Sequence, residues 1–224
     1  MIDRFRAFSG VRPPVVIALV LLIGVAGMAL FAAISSLTID RQVVLSADAD
    51  IAETFFTHSR DSVLDVFDVI TMLGSEVLWV LSFGVGGYFI WRRQWARLVV
   101  WALAMGVGKL INIGLKNGFD RARPAFEGWI NPESTFGYPS GHAMMSIIAY
   151  GMLAYFAVWA VRHRRVQVVI VVGAAVIVAL VALSRIVLSV HYLSDVIGGL
   201  IAGGWWLVVC IALMEVARAR DGAA

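Results

Sequence analysis

Six apolar runs, each near the length that crosses a bilayer core, alternate with short polar stretches along the chain. They cover Pro14–Leu37, Val69–Trp91, Ala96–Leu115, Ala143–Val161, Val166–Leu188 and Leu193–Val216. The pattern predicts six transmembrane helices in an all-α polytopic membrane protein. An even number of spans returns both ends of the chain to one side. The first run lacks a small-residue cleavage pattern, so it is expected to remain as an anchor. The second run is the weakest, because Gly74, Glu76 and the Gly84, Gly86 and Gly87 cluster interrupt it. Between the first two runs, 38–68 is too polar to span but carries Ile51, Phe55, Phe56, Val63, Leu64 and Phe67. These residues suit an amphipathic segment lying in the outer interface, and a solvated loop with local helix is the alternative.

Composition supports the same class. Hydrophobic residues make up 61% and charged residues 15%, with mean hydropathy +0.88. A soluble domain is about half apolar and about a quarter charged, so a soluble enzyme, a disordered tail and a DNA-binding domain are all excluded. The net charge of +3 therefore points to no nucleic acid partner. It follows from arginines at span ends. The single cysteine, Cys210, lies inside an apolar run and provides neither a disulfide nor a thiolate metal cluster.

Orientation follows from where the basic residues fall. Of 18 Lys and Arg, eleven would share the side of the termini: Arg4, Arg6, Arg12, Arg92, Arg93, Arg97, Arg162, Arg164, Arg165, Arg218 and Arg220. Basic residues near span ends are retained in the cytoplasm, so both termini are expected inside. One membrane-embedded domain over 1–224 follows, with a cytoplasmic leader at 1–13, an outer segment at 38–68 and a cytoplasmic tail at 217–224.

Polar residues in or beside a span face a cavity or a partner. Here three clusters fall on the expected extracytoplasmic face. They are Lys116 with Arg123-Pro124 after six intervening residues, then Pro139-Ser140-Gly141-His142, then Ser184-Arg185 followed by His191 and Asp195. Lys116, Arg123 and Arg185 can surround a phosphate. Ser140 and the amides around Gly141 stand where a helix begins, adding donors and the positive end of a dipole. His191 and Asp195, four apart, share a face if the segment is helical, and the carboxylate can then fix the imidazole tautomer. His142 remains as a proton donor for a leaving oxygen. A divalent metal is disfavoured by three nearby cations, and no cofactor is called for.

All eleven positions of these clusters resemble the signature of the type 2 phosphatidic acid phosphatase family, Lys-x6-Arg-Pro, Pro-Ser-Gly-His and Ser-Arg-x5-His-x3-Asp. Leu73-Gly74-Ser75 also falls within the resemblance, which covers most of the chain. It implies a haloperoxidase-like helical core and an integral-membrane lipid phosphatase. In that reading His191 attacks phosphorus, Asp195 orients it and His142 protonates the departing group. Lys116, Arg123, Ser140, Gly141 and Arg185 would bind phosphoryl oxygens. The implied partner is a membrane lipid phosphate: undecaprenyl diphosphate, phosphatidylglycerophosphate or phosphatidic acid. The implied location is a bacterial-type cytoplasmic membrane. Phosphoryl transfer to another acceptor uses the same phosphohistidine and stays open beside hydrolysis. A transporter or scaffold is the reading from a different class.

Outside the signature, His58 and His163 are expected to be structural. Phe126, Trp129, Phe136 and Tyr138 lie between two motifs, where they can serve packing or lipid contact. Asp120 and Arg121 are expected to pair with each other in the outer loop. Lys109, seven residues before Lys116, is expected to pair with Glu76 beneath the site, or else to meet the second phosphate of a diphosphate.

Overall fold

The computed structural model describes residues 13–127 and 134–221. The basic leader and Trp129 lie outside them. Among the described residues, six helical stretches are long and apolar enough to cross a membrane: Val16–Leu37, Asp61–Trp91, Trp95–Phe119, Gly141–Ala160, Arg164–Val187 and Leu193–Ala219. The protein is an all-helical, multi-pass membrane protein. In chain order its helices are α1 (Pro13–Thr38), α2 (Gln42–His58), α3 (Asp61–Thr71), α4 (Glu76–Trp91), α5 (Trp95–Ala102), α6 (Gly108–Phe119), α7 (Gly141–Ala160), α8 (Arg164–Val187) and α9 (Leu193–Asp221).

Helix α7 is the hub and packs on both α8 and α9. Its Met144, Ile148 and Met152 have no exposed surface, and they join Trp101, Ala104, Ala202 and Cys210 in the main core. By contrast, α1 and α8 expose long apolar faces that include Leu22, Val25, Val169 and Val172, as helices bordering lipid should. Helix α1 lies along α9, where Trp205 donates to the Gly24 carbonyl at 3.0 Å.

Two spans are broken, and each break serves the site. The second span begins at Asp61, eight residues before the Val69 expected from hydropathy, because the amphipathic α3 belongs to it. A 3-10 turn at Met72–Gly74 and an irregular Ser75 separate α3 from α4. Within a membrane the carbonyls loosened by such a break need internal partners. Tyr150 supplies one, its hydroxyl donating to Leu73 O at 2.7 Å.

The third span contains a π-turn at Leu103–Val107 between α5 and α6. Such a turn shifts the helical register and loosens a carbonyl. Here Trp206 Nε1 donates to Ala104 O at 3.2 Å. Beyond it the buried stripe of α6 follows the row Gly108, Asn112, Lys116. This i, i+4 row is the ridge along which crossing helices pack. Lys109 lies one position off the row and is exposed. It therefore forms no pair with Glu76, contrary to expectation, and its outward position does not suit contact with a second phosphate. Glu76 instead opens α4, accepts a hydrogen bond from the Ser75 hydroxyl and interacts electrostatically with His142 and Arg185.

The segment expected at the outer interface contains α2, which packs against α8 and α9. Ile51 and Phe55 seal it to Ala143, Ala182, Ile186 and Val196. Those two side chains face the bundle, whereas Phe56 remains partly exposed and stacks on Phe126 with ring centroids 4.1 Å apart.

Candidate active site

The three clusters converge at the end of the bundle opposite the start of α1 and the end of α9. His191 precedes α9, in a turn that follows the left-handed Ser189 (φ 56°). Its backbone N–H donates to Arg185 O at 3.2 Å, so the residue that ends one helix fixes the histidine before the next. The expectation that His191 and Asp195 share a helical face needs correction, since only Asp195 is helical. They meet because Asp195 is the third residue of α9 and reaches back over the helix start. Asp195 Oδ2 accepts the Tyr192 backbone N–H at 3.0 Å, the carboxylate half of a capping box. The same oxygen lies 3.3 Å from His191 Nδ1. His191 and Asp195 are both buried.

On the other face of the imidazole, Arg123 Nη1 lies 3.0 Å from His191 Nε2 and donates to Val190 O at 2.8 Å. A guanidinium can only donate, so this contact requires an unprotonated Nε2 and places the ring proton on Nδ1, toward Asp195. The resulting tautomer leaves a lone pair on Nε2.

Lys116 and Arg123 meet at Thr135. Lys116 Nζ donates to its hydroxyl at 3.3 Å and to the Phe136 carbonyl, while Arg123 donates to the Thr135 carbonyl at 2.6 Å and to its hydroxyl at 3.2 Å. Arg185, almost fully buried, donates from Nη1 to Thr71 Oγ1 at 2.7 Å and so ties α8 to the end of α3.

Ser140 is the N-cap of α7, yet its side chain caps nothing. Its hydroxyl is wholly buried and, among the described residues, has no hydrogen-bond partner. A buried hydroxyl in that condition is unfavourable by about 1–3 kcal/mol unless a ligand engages it. Gly141 follows at the first helical position, where a Cβ would stand 3.0 Å from Asn112 Oδ1. Asn112, in turn, donates to Pro139 O at 3.3 Å and holds the Pro-Ser-Gly-His turn against α6. His142 follows on the same first turn of α7, and a Cβ on Gly74 would lie 3.2 Å from its Cδ2. The break in the second span thus brings backbone against the imidazole.

Several residues around the site lack any motif signal. Asn112 and Thr135 are ordinary polar residues in sequence. Arg121 was expected to pair with Asp120, but Asp120 takes the left-handed conformation that ends α6 (φ 48°) and points the chain elsewhere. Arg121 pairs instead with Asp195 Oδ1 at 2.7 Å and Asp48 Oδ2 at 2.8 Å. Burial opposes its charge, and the two carboxylates outweigh burial, so its pKa stands above the ordinary guanidinium value. Burial likewise pushes the Tyr138 and Tyr192 hydroxyls up. Tyr138 shares a 2.6 Å hydrogen bond with Ser35 of α1, which makes it a structural tie. His58 bonds Thr57 at the exposed end of α2, and His163 stands before α8. Among the described residues, no three His, Cys, Asp or Glu side chains converge as metal ligands.

Residues 97–219 match the family model described as the PAP2 superfamily. The chain belongs to that superfamily. The PAP2 match takes in all three motifs, so the resemblance they carry is a true membership. Over 180 residues the chain is 35% identical to phosphatidylglycerophosphatase B of Bacillus subtilis (strain 168), covering 78% of this chain and 86% of that one. It also resembles the crystal structure of a transmembrane PAP2 type phosphatidylglycerolphosphate phosphatase from Bacillus subtilis. That match has a TM-score of 0.74 at 32% identity over 85% of this chain and 95% of the other. The crystal structure of Aquifex aeolicus LpxE shares the fold, with a TM-score of 0.57 at 21% identity over 80% and 98% of the two chains. The protein is a PAP2 membrane lipid phosphatase, a phosphoric monoester hydrolase.

Proposed function

We propose that this PAP2 enzyme hydrolyses a phosphatidylglycerophosphate-type lipid monoester at the extracytoplasmic face of the membrane, through a phosphohistidine on His191. The observation that carries the reading is the disposition of His191, with Nδ1 held by Asp195 and the Nε2 lone pair turned toward Arg123. Phosphatidylglycerophosphatase B of Bacillus subtilis, at 35% identity, supports the choice of substrate.

In the first step Nε2 attacks phosphorus, and the bond from phosphorus to the lipid oxygen breaks. His142 gives that oxygen its proton and the lipid alcohol leaves. In the second step His142 takes a proton from water, the water oxygen attacks phosphorus and the P–N bond breaks. Inorganic phosphate leaves and both imidazoles are restored. Lys116, Arg123, Arg185, the Ser140 hydroxyl and the Gly141 amide hold the phosphoryl oxygens and neutralise the charge spread over them in the transition state. That role needs no metal. The excess of arginines on the side of the termini supports an outward-facing site.

The test is a panel of phosphatidylglycerophosphate, phosphatidic acid and undecaprenyl diphosphate given to purified protein in detergent, with phosphate release measured in chelator. The expected result is the highest kcat/KM for phosphatidylglycerophosphate, undiminished by chelator, with acid-labile phosphate trapped on the protein. A preference for the diphosphate would overturn the substrate, and loss in chelator restored by a divalent ion would overturn the metal-free chemistry. In oriented vesicles a membrane-impermeant phosphate analogue should inhibit from the extracytoplasmic side. Inhibition from the cytoplasmic side alone would reverse the orientation.

A further inference from the structure

We propose that Arg121 and Asp48 are positioning residues for the His191–Asp195 pair, and that through them helix α2 sets the aim of the nucleophile. The inference rests on the reading of His191 as that nucleophile. Neither residue belongs to the three motifs.

The Asp195 carboxylate is held on both sides. Oδ2 accepts from Tyr192 N–H at 3.0 Å and faces His191 Nδ1 at 3.3 Å, while Oδ1 accepts from Arg121 Nη1 at 2.7 Å. A carboxylate gripped at one oxygen alone can rotate about its last torsion, which is a broad and soft one. With the second oxygen fixed, Oδ2 stays directed at the imidazole.

Arg121 is itself fixed. Its Nη1 also donates to Ser194 Oγ at 2.6 Å, its Nη2 donates to Asp48 Oδ2 at 2.8 Å, and its guanidinium lies 4.8 Å over the Tyr192 ring. Both Nη1 hydrogens of Arg121 are thereby in use within the protein. Asp48, for its part, accepts the Ser194 backbone N–H at 3.0 Å and the Ser194 hydroxyl. It thus caps α9 from another helix, at the turn where Asp195 stands.

The side chains of Arg121, Asp48 and Asp195 are 9%, 5% and 0% exposed. An apolar contact would pack α2 with less desolvation than a buried ionic triad, so packing alone does not account for these residue types. The chain of contacts runs Asp48, Arg121, Asp195, His191. Its first member sits on a helix whose own attachment is made by Ile51 and Phe55 against the bundle. Lifting α2 therefore withdraws the outer anchor of the nucleophile.

The experiment uses the full chain in detergent, with a short-chain soluble phosphatidic acid as substrate and inorganic phosphate as competitive inhibitor. The variants are R121Q, R121K, D48N, the double change D48N/R121Q and H191A. In R121Q kcat should fall about 10- to 100-fold, by analogy with the loss of an outer partner that orients a metal-bound imidazole. KM and the phosphate inhibition constant should stay within about twofold, because the phosphate cradle is untouched. R121K, which keeps the charge and loses the fork, should recover part of kcat. D48N should be intermediate, and the double change no worse than R121Q, because the two act in one chain.

A raised KM and weaker phosphate inhibition with kcat preserved would overturn the proposal, since Arg121 would then be a substrate ligand. Losses of kcat that track a falling Tm, without recovery in R121K, would also overturn it. Should R121Q fail to fold, R121K and D48N decide the matter by the same split of kcat from KM. H191A keeps the two readings apart. Turnover surviving in H191A removes the nucleophile itself, whereas its loss there alongside unchanged kcat in R121Q and D48N removes the proposed anchoring alone.

Discussion

Arg123 stands 3.0 Å from His191 Nε2, so a cation assigned to hold phosphate also touches the atom assigned to attack phosphorus. The two roles are compatible. A phosphoryl group arriving at Nε2 brings oxygens within reach of the same guanidinium, which turns from a nitrogen acceptor to a better, charged one. Arg123→Gln should therefore affect binding and chemistry together. A charged hydrogen bond contributes about 1.5–3 kcal/mol, or a loss of about 10- to 150-fold in kcat/KM. Arg123→Lys should recover less than half of that in free energy, because Lys lacks the fork that spans Thr135 and His191. Steady-state kinetics on a soluble lipid phosphate would measure this, and a change confined to KM would show that Arg123 binds substrate without serving the reaction.

His142 is assigned the proton for the leaving oxygen, and this makes its importance depend on the leaving group. With a lipid alcohol, a poor leaving group, His142→Ala should lower kcat by about 10²- to 10⁴-fold. An aryl phosphate, which departs as a weakly basic phenolate, should lose far less. Parallel assays on the two substrates decide between this role and simple phosphate binding, which predicts equal losses.

The six spans and the eleven signature positions were legible because each rests on a local regularity: apolar length in one case, fixed spacing in the other. The three motifs fall at one end of the bundle because the alternation of successive spans assigns ends without any tertiary knowledge. What the sequence hid has a common physical cause. Asp48 and Arg121 are 73 positions apart, and Arg121 and Asp195 are 74 apart, so no local pattern links them. The start of the second span was obscured by Asp61, Asp65 and Asp68, which lower hydropathy while α3 continues as a helix. Lys109 and Lys116 do share a helical face by count, but the buried stripe drifts along an i, i+4 ridge that a straight helical projection does not show.

The turn at Gly74 is tight enough to be tested by one methyl group. A Cβ there would lie 2.6 Å from Val181 Cγ1 and 3.2 Å from His142 Cδ2. Val181 is β-branched, wholly buried and so unable to swing away. Gly74→Ala should destabilise by about 1–3 kcal/mol, the usual cost of overpacking, and lower activity by displacing His142. Adding Val181→Ala removes the closer obstruction, so the double variant should regain most of the Tm. Recovery of Tm without recovery of kcat would separate the crowding of Val181 from that of the imidazole. No recovery of either would show that Ser146 Oγ, 3.1 Å from such a Cβ, and His142 exclude the side chain even without Val181.

Helix α2 offers two faces with different expected roles, and substitutions on them should part company. Ile51 and Phe55 pack against Ala143, Ala182, Ile186 and Val196, whereas Phe56 stacks on Phe126 beside an open cavity of about 390 Å³ lined also by Ala52, Glu53, Thr57 and Tyr192. Tyr192 adjoins His191, so this cavity opens beside the residue assigned as nucleophile. Phe56→Ser should raise KM for a long-chain lipid phosphate and leave a short soluble phosphate ester unaffected, because only the lipid must pass along the aromatic pair. Phe55→Ser should instead lower Tm and impair both substrates alike, by burying a hydroxyl in an apolar contact and unseating Asp48. The measurement is KM and kcat for both substrates in both variants, with Tm recorded alongside. Equal impairment of the two substrates in Phe56→Ser would make the aromatic pair a structural clasp on α2 and leave lipid entry to another face of the bundle.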